Sequence, residues 1–322
     1  MKGRPFLVGA VLAAAAGLAA LVALGIPDAV RTLLGNGSPA DVFIVRELRL
    51  PRVVTGLAAG AALALAGAVF QSLVRNPLGS PDVLGFTQGS ATGGLLAVVL
   101  AGGGTTAVAT GSVLAAVATG AAIYLLAWRG GGHGHRLILV GIGVAGILTG
   151  LNSYLLVRAN IVDAARAVLW LTGSLDGRGW GNAAVAGGAV VLVAPIVLAC
   201  GRALRVLELG DDPATALGVD VRALRLTALA GAVLLAAAAS AAAGPVLFVA
   251  LTAPQLARRL TRASGPNLLP SLFMGAALLV GADVVAQRAF PGHQLPVGVV
   301  TGLLGGGYLV WILAVQARRV RG

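Results

Sequence analysis

Apolar residues fall in long runs broken by short polar interruptions from one end of the chain to the other. Ten runs meet the length needed to cross a bilayer, at about 6–26, 53–74, 84–102, 107–127, 137–157, 181–200, 224–243, 245–260, 270–288 and 295–315, since about 20 apolar residues in a helix cover about 30 Å of hydrocarbon. The seventh and eighth nearly merge at Ala243, Gly244 and Pro245, where Gly and Pro permit a sharp reversal. The eighth is short and is expected to be shielded by its neighbours. The pattern predicts an all-α, polytopic protein forming a single membrane domain over residues 1–322, with no polar block large enough for a second domain. Lys2 and Arg4 before the first run have the charge pattern of a secretory signal; with so many later runs, an uncleaved first helix is expected.

Composition agrees. Of the 322 residues 58% are hydrophobic and 11% charged, against about 25% charged in soluble domains, which leaves too little polar surface for a water-facing globule. The net charge of +12 would suggest nucleic acid in a soluble chain; here the cations cluster between apolar runs, where they orient a membrane protein. With ten spans both termini share a side. Most of the 23 cations fall on that side, including Lys2, Arg4, Arg202, Arg205, Arg222, Arg225, Arg258, Arg259 and Arg262, so both termini are expected in the cytoplasm. Lys2 is the only lysine, which excludes a Walker A phosphate-binding loop. Cys200 is the only cysteine, so an internal disulfide or four-cysteine zinc site is impossible. Gly56 and Gly60, Gly146 and Gly150, and Gly298 and Gly302 have the spacing that lets helices approach closely in lipid.

Four polar features stand out. Arg46, Arg49 and Arg52 crowd the outer side before the second run, where Pro51 is expected to interrupt the helix and form an elbow; their planar forks suit either a partner's carboxylates or headgroup phosphates. On the inner side, Arg75 to Asp82 demands a fixed turn, and the glycine-rich stretch from Trp128 to Arg136 carries His133 and His135, which lack a third metal ligand nearby. The longest interruption, 201–224, reads as helix, turn, helix, with Asp212 as N-cap, Pro213 opening the second helix and Gly218 ending it. Asp283 lies near the outer end of the ninth run, where a carboxylate is either functional or a structural hydrogen-bonding group. The absence of an intramembrane acid and base series argues against a proton-coupled carrier.

Taken together, RLPR (49–52), GAALALAGAVFQSLVRNPLGSPDVLG (60–85), LTGSL (171–175), ALGVD (216–220), GPVLFVALTAPQLARRL (244–260), LLP (268–270), GADVVAQ (281–287) and LPVGVVTGLLGGGYLVWIL (295–313) resemble the FecCD/BtuC-like permease subunits of ATP-binding-cassette importers for iron-siderophores, haem and vitamin B12. The resemblance implies a non-catalytic, multi-pass permease of the bacterial cell membrane, without cofactor or bound metal. It implies as partners two ATP-binding subunits, an extracytoplasmic siderophore-binding protein, a second permease subunit as homo- or heterodimer, and the lipid membrane, but no nucleic acid. Arg49 and Arg52 match arginines that dock the binding protein. Arg288 stands one position beyond the place of a third. Asn76, Pro77 and Leu78 match an inner gate turn, and the loop with His133 and His135 corresponds to the other gate element. Asp212, Pro213, Ala216, Leu217 and Gly218 correspond to the helix that couples to the ATPase. Many members have a histidine after the proline of P-H-x-x-R; this chain has Gln255, and its A-P-Q-L-A-R-R form looks most like the ferric-enterobactin branch. Permeases for vitamin B12 or haem, and an ion-coupled carrier, are the alternatives.

Overall fold

A computed structural model describes residues 4–25, 38–128, 134–290 and 294–321. Among them the chain is helical, with no strand. Its α-helices are α1 (Arg4–Leu24), α2 (Pro39–Phe43), α3 (Leu50–Val74), α4 (Phe86–Ala101), α5 (Thr105–Trp128), α6 (Gly134–Arg158), α7 (Ile161–Leu171), α8 (Trp180–Ala199), α9 (Gly201–Leu207), α10 (Asp211–Ala216), α11 (Val221–Ala243), α12 (Val249–Thr261), α13 (Leu268–Arg288) and α14 (Val297–Arg321). Among the described residues, seven helical stretches are long and apolar enough to cross a membrane, and α4 and the apolar part of α14 are shorter.

Helix α3 is the axis of the molecule. Every residue from Ala59 to Val74 is buried, with α8, α11, α12 and α13 packed around it. Because lipid tails are as apolar as leucine, such packing depends on close backbone approach through small residues. At Gly60 an added Cβ would stand 2.3 Å from the Gly275 carbonyl oxygen, and at Gly67 it would stand 1.7 Å from that of Ala250. Of the three glycine pairs singled out by spacing, Gly60 and Gly298 make such approaches, whereas Gly146, Gly150 and Gly302 have no neighbouring atom within 4 Å. Phe70 stacks on Phe86 at a centroid distance of 5.1 Å, joining α3 to α4.

The structure corrects the eighth span. After Gly244 the chain runs without helix to Phe248, which takes a left-handed φ of 67°, and α12 has only 13 residues. At 1.5 Å per residue that is about 20 Å, too short for the hydrocarbon layer. Gly244, Pro245 and Val246 are buried among neighbouring helices: just before them Ala243 accepts from the Ser174 N–H at 2.9 Å, and the Phe248 N–H points to Asp82 Oδ2 at 3.4 Å. Protein partners thus serve backbone groups that lipid could not.

Candidate functional site

Polar side chains gather at the two ends of α3. At the first end, Ser38 opens α2 with a reciprocal capping box: its hydroxyl accepts from the Asp41 N–H at 3.2 Å and the Asp41 carboxylate accepts from the Ser38 N–H at 3.0 Å. The elbow expected at Pro51 is not formed. A π-helical segment, Ile44–Arg49, runs directly into α3. Pro51 sits in the first turn of α3, where the missing N–H leaves no gap, and the wider turn before it bonds the Leu50 N–H to the Val45 carbonyl. The segment leaves Arg46, Glu47 and Leu48 exposed. Arg49 donates to the Leu24 carbonyl at 2.8 Å and Arg288 to the Val22 carbonyl at 3.1 Å. Both therefore serve carbonyls of the last turn of α1, which have no partner within the helix and carry the negative end of its dipole.

Arg52 is committed inward. Its Nε and Nη2 donate to the two oxygens of Asp283 at 3.0 and 2.9 Å, and Nη1 donates to Asp176 at 3.2 Å and to Gln294 Oε1 at 3.1 Å. Gln287, one turn beyond Asp283 on α13, donates to the same carboxylate at 2.7 Å. Asp283 is thus the structural group among the two readings of it. Asp176 lies in the 172–179 loop, which also holds the start of α14, since the Gly298 N–H donates to the Gly173 carbonyl at 3.0 Å. Two residues on, burial pushes the Arg178 guanidinium below its ordinary value, and Asp176 partly restores it. Asp176 and Gln294 were not singled out in the sequence; both lie in loops without a periodic signal.

At the second end, α3 stops at Arg75 in a left-handed conformation with φ 54°. Asn76 shapes the turn that follows: its Oδ1 accepts from the Leu78 N–H at 2.9 Å, and its carbonyl accepts from the Gly79 N–H at 3.0 Å. The Pro77 carbonyl accepts from Gln255 Nε2 at 2.8 Å, so Gln255 hangs this turn on α12. Leu78 is exposed. Asp82, at the far side of the turn, accepts from the Thr87 hydroxyl at 2.6 Å; desolvation raises its carboxyl above the ordinary value, offset in part by Thr87 and Phe248. His133 lies outside the described residues. His135 falls in the first turn of α6.

Helices α9 and α10 form a short hairpin against this end. Asp212 is not the N-cap: Gly210, with φ 133°, holds that position, and α10 begins at Asp211. A glycine can adopt this backbone geometry without cost, which frees the acids to lie in the first turn, where they complement the helix dipole. Gly218 ends the hairpin with φ 81°. The Val219 N–H bonds to the Ala214 carbonyl and the Gly218 N–H to that of Thr215, the paired bonds of a Schellman cap. Asp212, Pro213, Ala216, Leu217 and Gly218 are all exposed, while Ala214 beneath them is buried.

Two carboxylates fasten this hairpin. Glu208 accepts from the Ser72 hydroxyl on α3 at 2.9 Å and from Arg258 on α12 at 3.2 Å. Asp211 pairs with Arg75 at the end of α3 and with Arg225 on α11, the latter at 2.9 Å. The hairpin is tied in this way to three helices of the bundle. Arg259, next to Arg258, lies over the Trp311 ring of α14 at 4.7 Å.

The FecCD transport family matches residues 6–315. The ferric enterobactin transport system permease protein of Escherichia coli (strain K12) is 44% identical over 89% of this chain and 87% of its own length. The achromobactin transport system permease protein of Dickeya dadantii (strain 3937) is 35% identical over 96% of this chain and 89% of its own. Among solved structures, an inward-facing transporter described as of the metal-chelate ABC type superposes with a TM-score of 0.85 at 29% identity, covering 96% of this chain and 99% of that one.

Proposed function

The chain belongs to the FecCD transport family, and from that premise we propose that it is the permease subunit of an ATP-driven importer that carries a ferric siderophore inward. It is a multi-pass protein of the bacterial inner membrane. In this reading the Arg52 end faces outward, the hairpin end and both termini face the cytoplasm, and Arg49, Arg52 and Arg288 meet carboxylates of an extracytoplasmic binding protein. A second permease subunit, identical or homologous, completes the pathway across a two-fold axis. Helix α6 offers it a largely uncovered apolar face, with Leu139, Ile142 and Ile147 exposed.

The observation that carries the proposal is the α9–α10 hairpin. It projects an exposed Leu217 from a chain with no Walker A lysine, and it is fastened by Glu208 and Asp211 to α3, α11 and α12. Such a part receives force from another subunit. When ATP closes two ATPase subunits on each other, the hairpin moves with them. The ion pairs draw on the inner ends of the three helices, and the Asn76–Leu78 turn, held through Gln255, shifts with α12. The 44% identity with a ferric enterobactin permease, against 32% with a cobalamin permease, supports the siderophore as cargo.

The test is association. Leu217→Glu, a change at an exposed position, is expected to abolish co-purification of the ATP-binding subunits while the chain still inserts at normal levels. Unaltered co-purification would contradict the assigned role of the hairpin.

A further inference from the structure

Arg52 donates through Nε, Nη1 and Nη2 to groups inside the molecule. Its side chain is 12% exposed, yet its partners differ sharply, with Asp283 at 3% and Asp176 at 69%. Asp283 grips Nε and Nη2 from below and is shielded from water, so it cannot readily leave. Asp176 grips Nη1 from the wet side, and an exposed carboxylate is held weakly because water and salt compete for it.

We infer that Asp176, seconded by Gln294, is an internal stand-in for the carboxylate of a docking protein, and that docking at Arg52 proceeds by exchanging one carboxylate for the other. The inference rests on the proposed docking of a binding protein at this end. Exchange leaves the count of charges on Arg52 unchanged, so it needs no net desolvation of the guanidinium. Arg178, whose charge already acts on Asp176, is at hand to receive the displaced side chain. Release matters because of what the two leaving groups are attached to. Asp176 belongs to the loop in which Ser174 bonds to Ala243 at the end of α11 and Gly173 bonds to Gly298 at the start of α14. Gln294 precedes α14 directly. A carboxylate arriving at Arg52 therefore frees the two segments that hold the outer ends of α11 and α14, while α3 and α13 remain locked through Asp283.

The experiment uses the whole importer, the permease with its ATP-binding subunits in lipid nanodiscs, titrated with the purified binding protein of the same importer. Removing the competitor by Asp176→Asn is expected to tighten docking about fivefold, the ratio corresponding to the upper range for an exposed ion pair. Asp176→Glu is expected to restore the original Kd. Glu47→Gln, which removes the same charge from the same surface away from Arg52, is expected to leave Kd within about twofold. An unchanged or weaker Kd for Asp176→Asn, or an equal gain from Glu47→Gln, overturns the exchange. The docking reading itself is tested separately by the double reversal Arg49→Glu with Arg288→Glu; if that leaves Kd unaltered, the docking surface is elsewhere and both proposals fall.

Discussion

At the Arg52 end of α3 one guanidinium is surrounded by acceptors from three other segments, and its tightest partner, Asp283, is 3% exposed. At the hairpin end the arrangement is inverted: two carboxylates, Asp211 at 44% and Glu208 at 26% exposure, each reach groups on two different helices. A buried two-pronged pair is costly to open, because separation leaves a charge without water or partner. Half-exposed pairs separate and re-form at little cost. The difference divides the molecule into a fixed point, where α3 and α13 are bolted together, and an adjustable joint, where the hairpin proposed as a lever is attached by contacts that can be remade.

The largest expected effect tests the bolt. Asp283→Ala leaves the Arg52 guanidinium buried with only its Asp176 and Gln294 contacts and should cost about 3–5 kcal/mol, read as a lowered thermal unfolding midpoint in detergent. Arg52→Lys should lose most of the same stability, since an ammonium cannot reproduce the planar two-pronged contact. Should Asp283→Ala prove no worse than Asp211→Ala, the two ends do not differ in stiffness.

Next in size is the lever. At Gly218 an added Cβ meets nothing within 4 Å, so a bulky residue is opposed by backbone conformation and not by crowding. Gly218→Val should strain the cap by about 1–2 kcal/mol and misplace Leu217. ATP hydrolysis should continue while uptake per ATP falls severalfold, measured together in proteoliposomes. The joint should be gentler. Asp211→Asn with Glu208→Gln should cost at most about 1 kcal/mol of stability per pair and still lower uptake per ATP, while the swap Asp211→Arg with Arg225→Asp should recover part of the loss. Retained coupling in the double variant would mean that force reaches the bundle by another route.

The smallest effect is a pH dependence at the turn beside the joint. Folding raises the Asp82 carboxyl above 3.8, so the folded state favours the protonated form. The stability it contributes is complete below that ordinary value and is lost as pH rises through the folded one. Asp82→Asn should flatten the fall in unfolding midpoint that sets in as pH rises above 3.8; an unchanged slope would place its origin elsewhere.

Most of the helices could be read from the chain because a membrane span announces itself by length and hydropathy alone. Helix α12 could not: hydropathy averages over 245–260 and does not register that Phe248 turns left-handed, although Gly244 and Pro245 mark the place. The hairpin was legible in outline, and Gly218 ends it as read. The N-cap fell on Gly210 instead of Asp212, and only the placement of Arg75 and Arg225 shows what Asp211 holds. The internal pairing of Arg52 was hidden for a simpler reason. Asp176, Asp283 and Gln294 lie 124, 231 and 242 residues away, so an outward arginine on a polar island gave no sign that it already had partners.

On the proposed function, this chain moves a ferric siderophore only under force delivered by a separate ATPase. It is tested most directly in proteoliposomes holding the permease with its ATP-binding subunits, supplied with the binding protein and an iron-loaded siderophore. Uptake is expected to require ATP, the ATPase subunits and the binding protein together. Uptake by the permease alone, driven by a proton or sodium gradient, would contradict it.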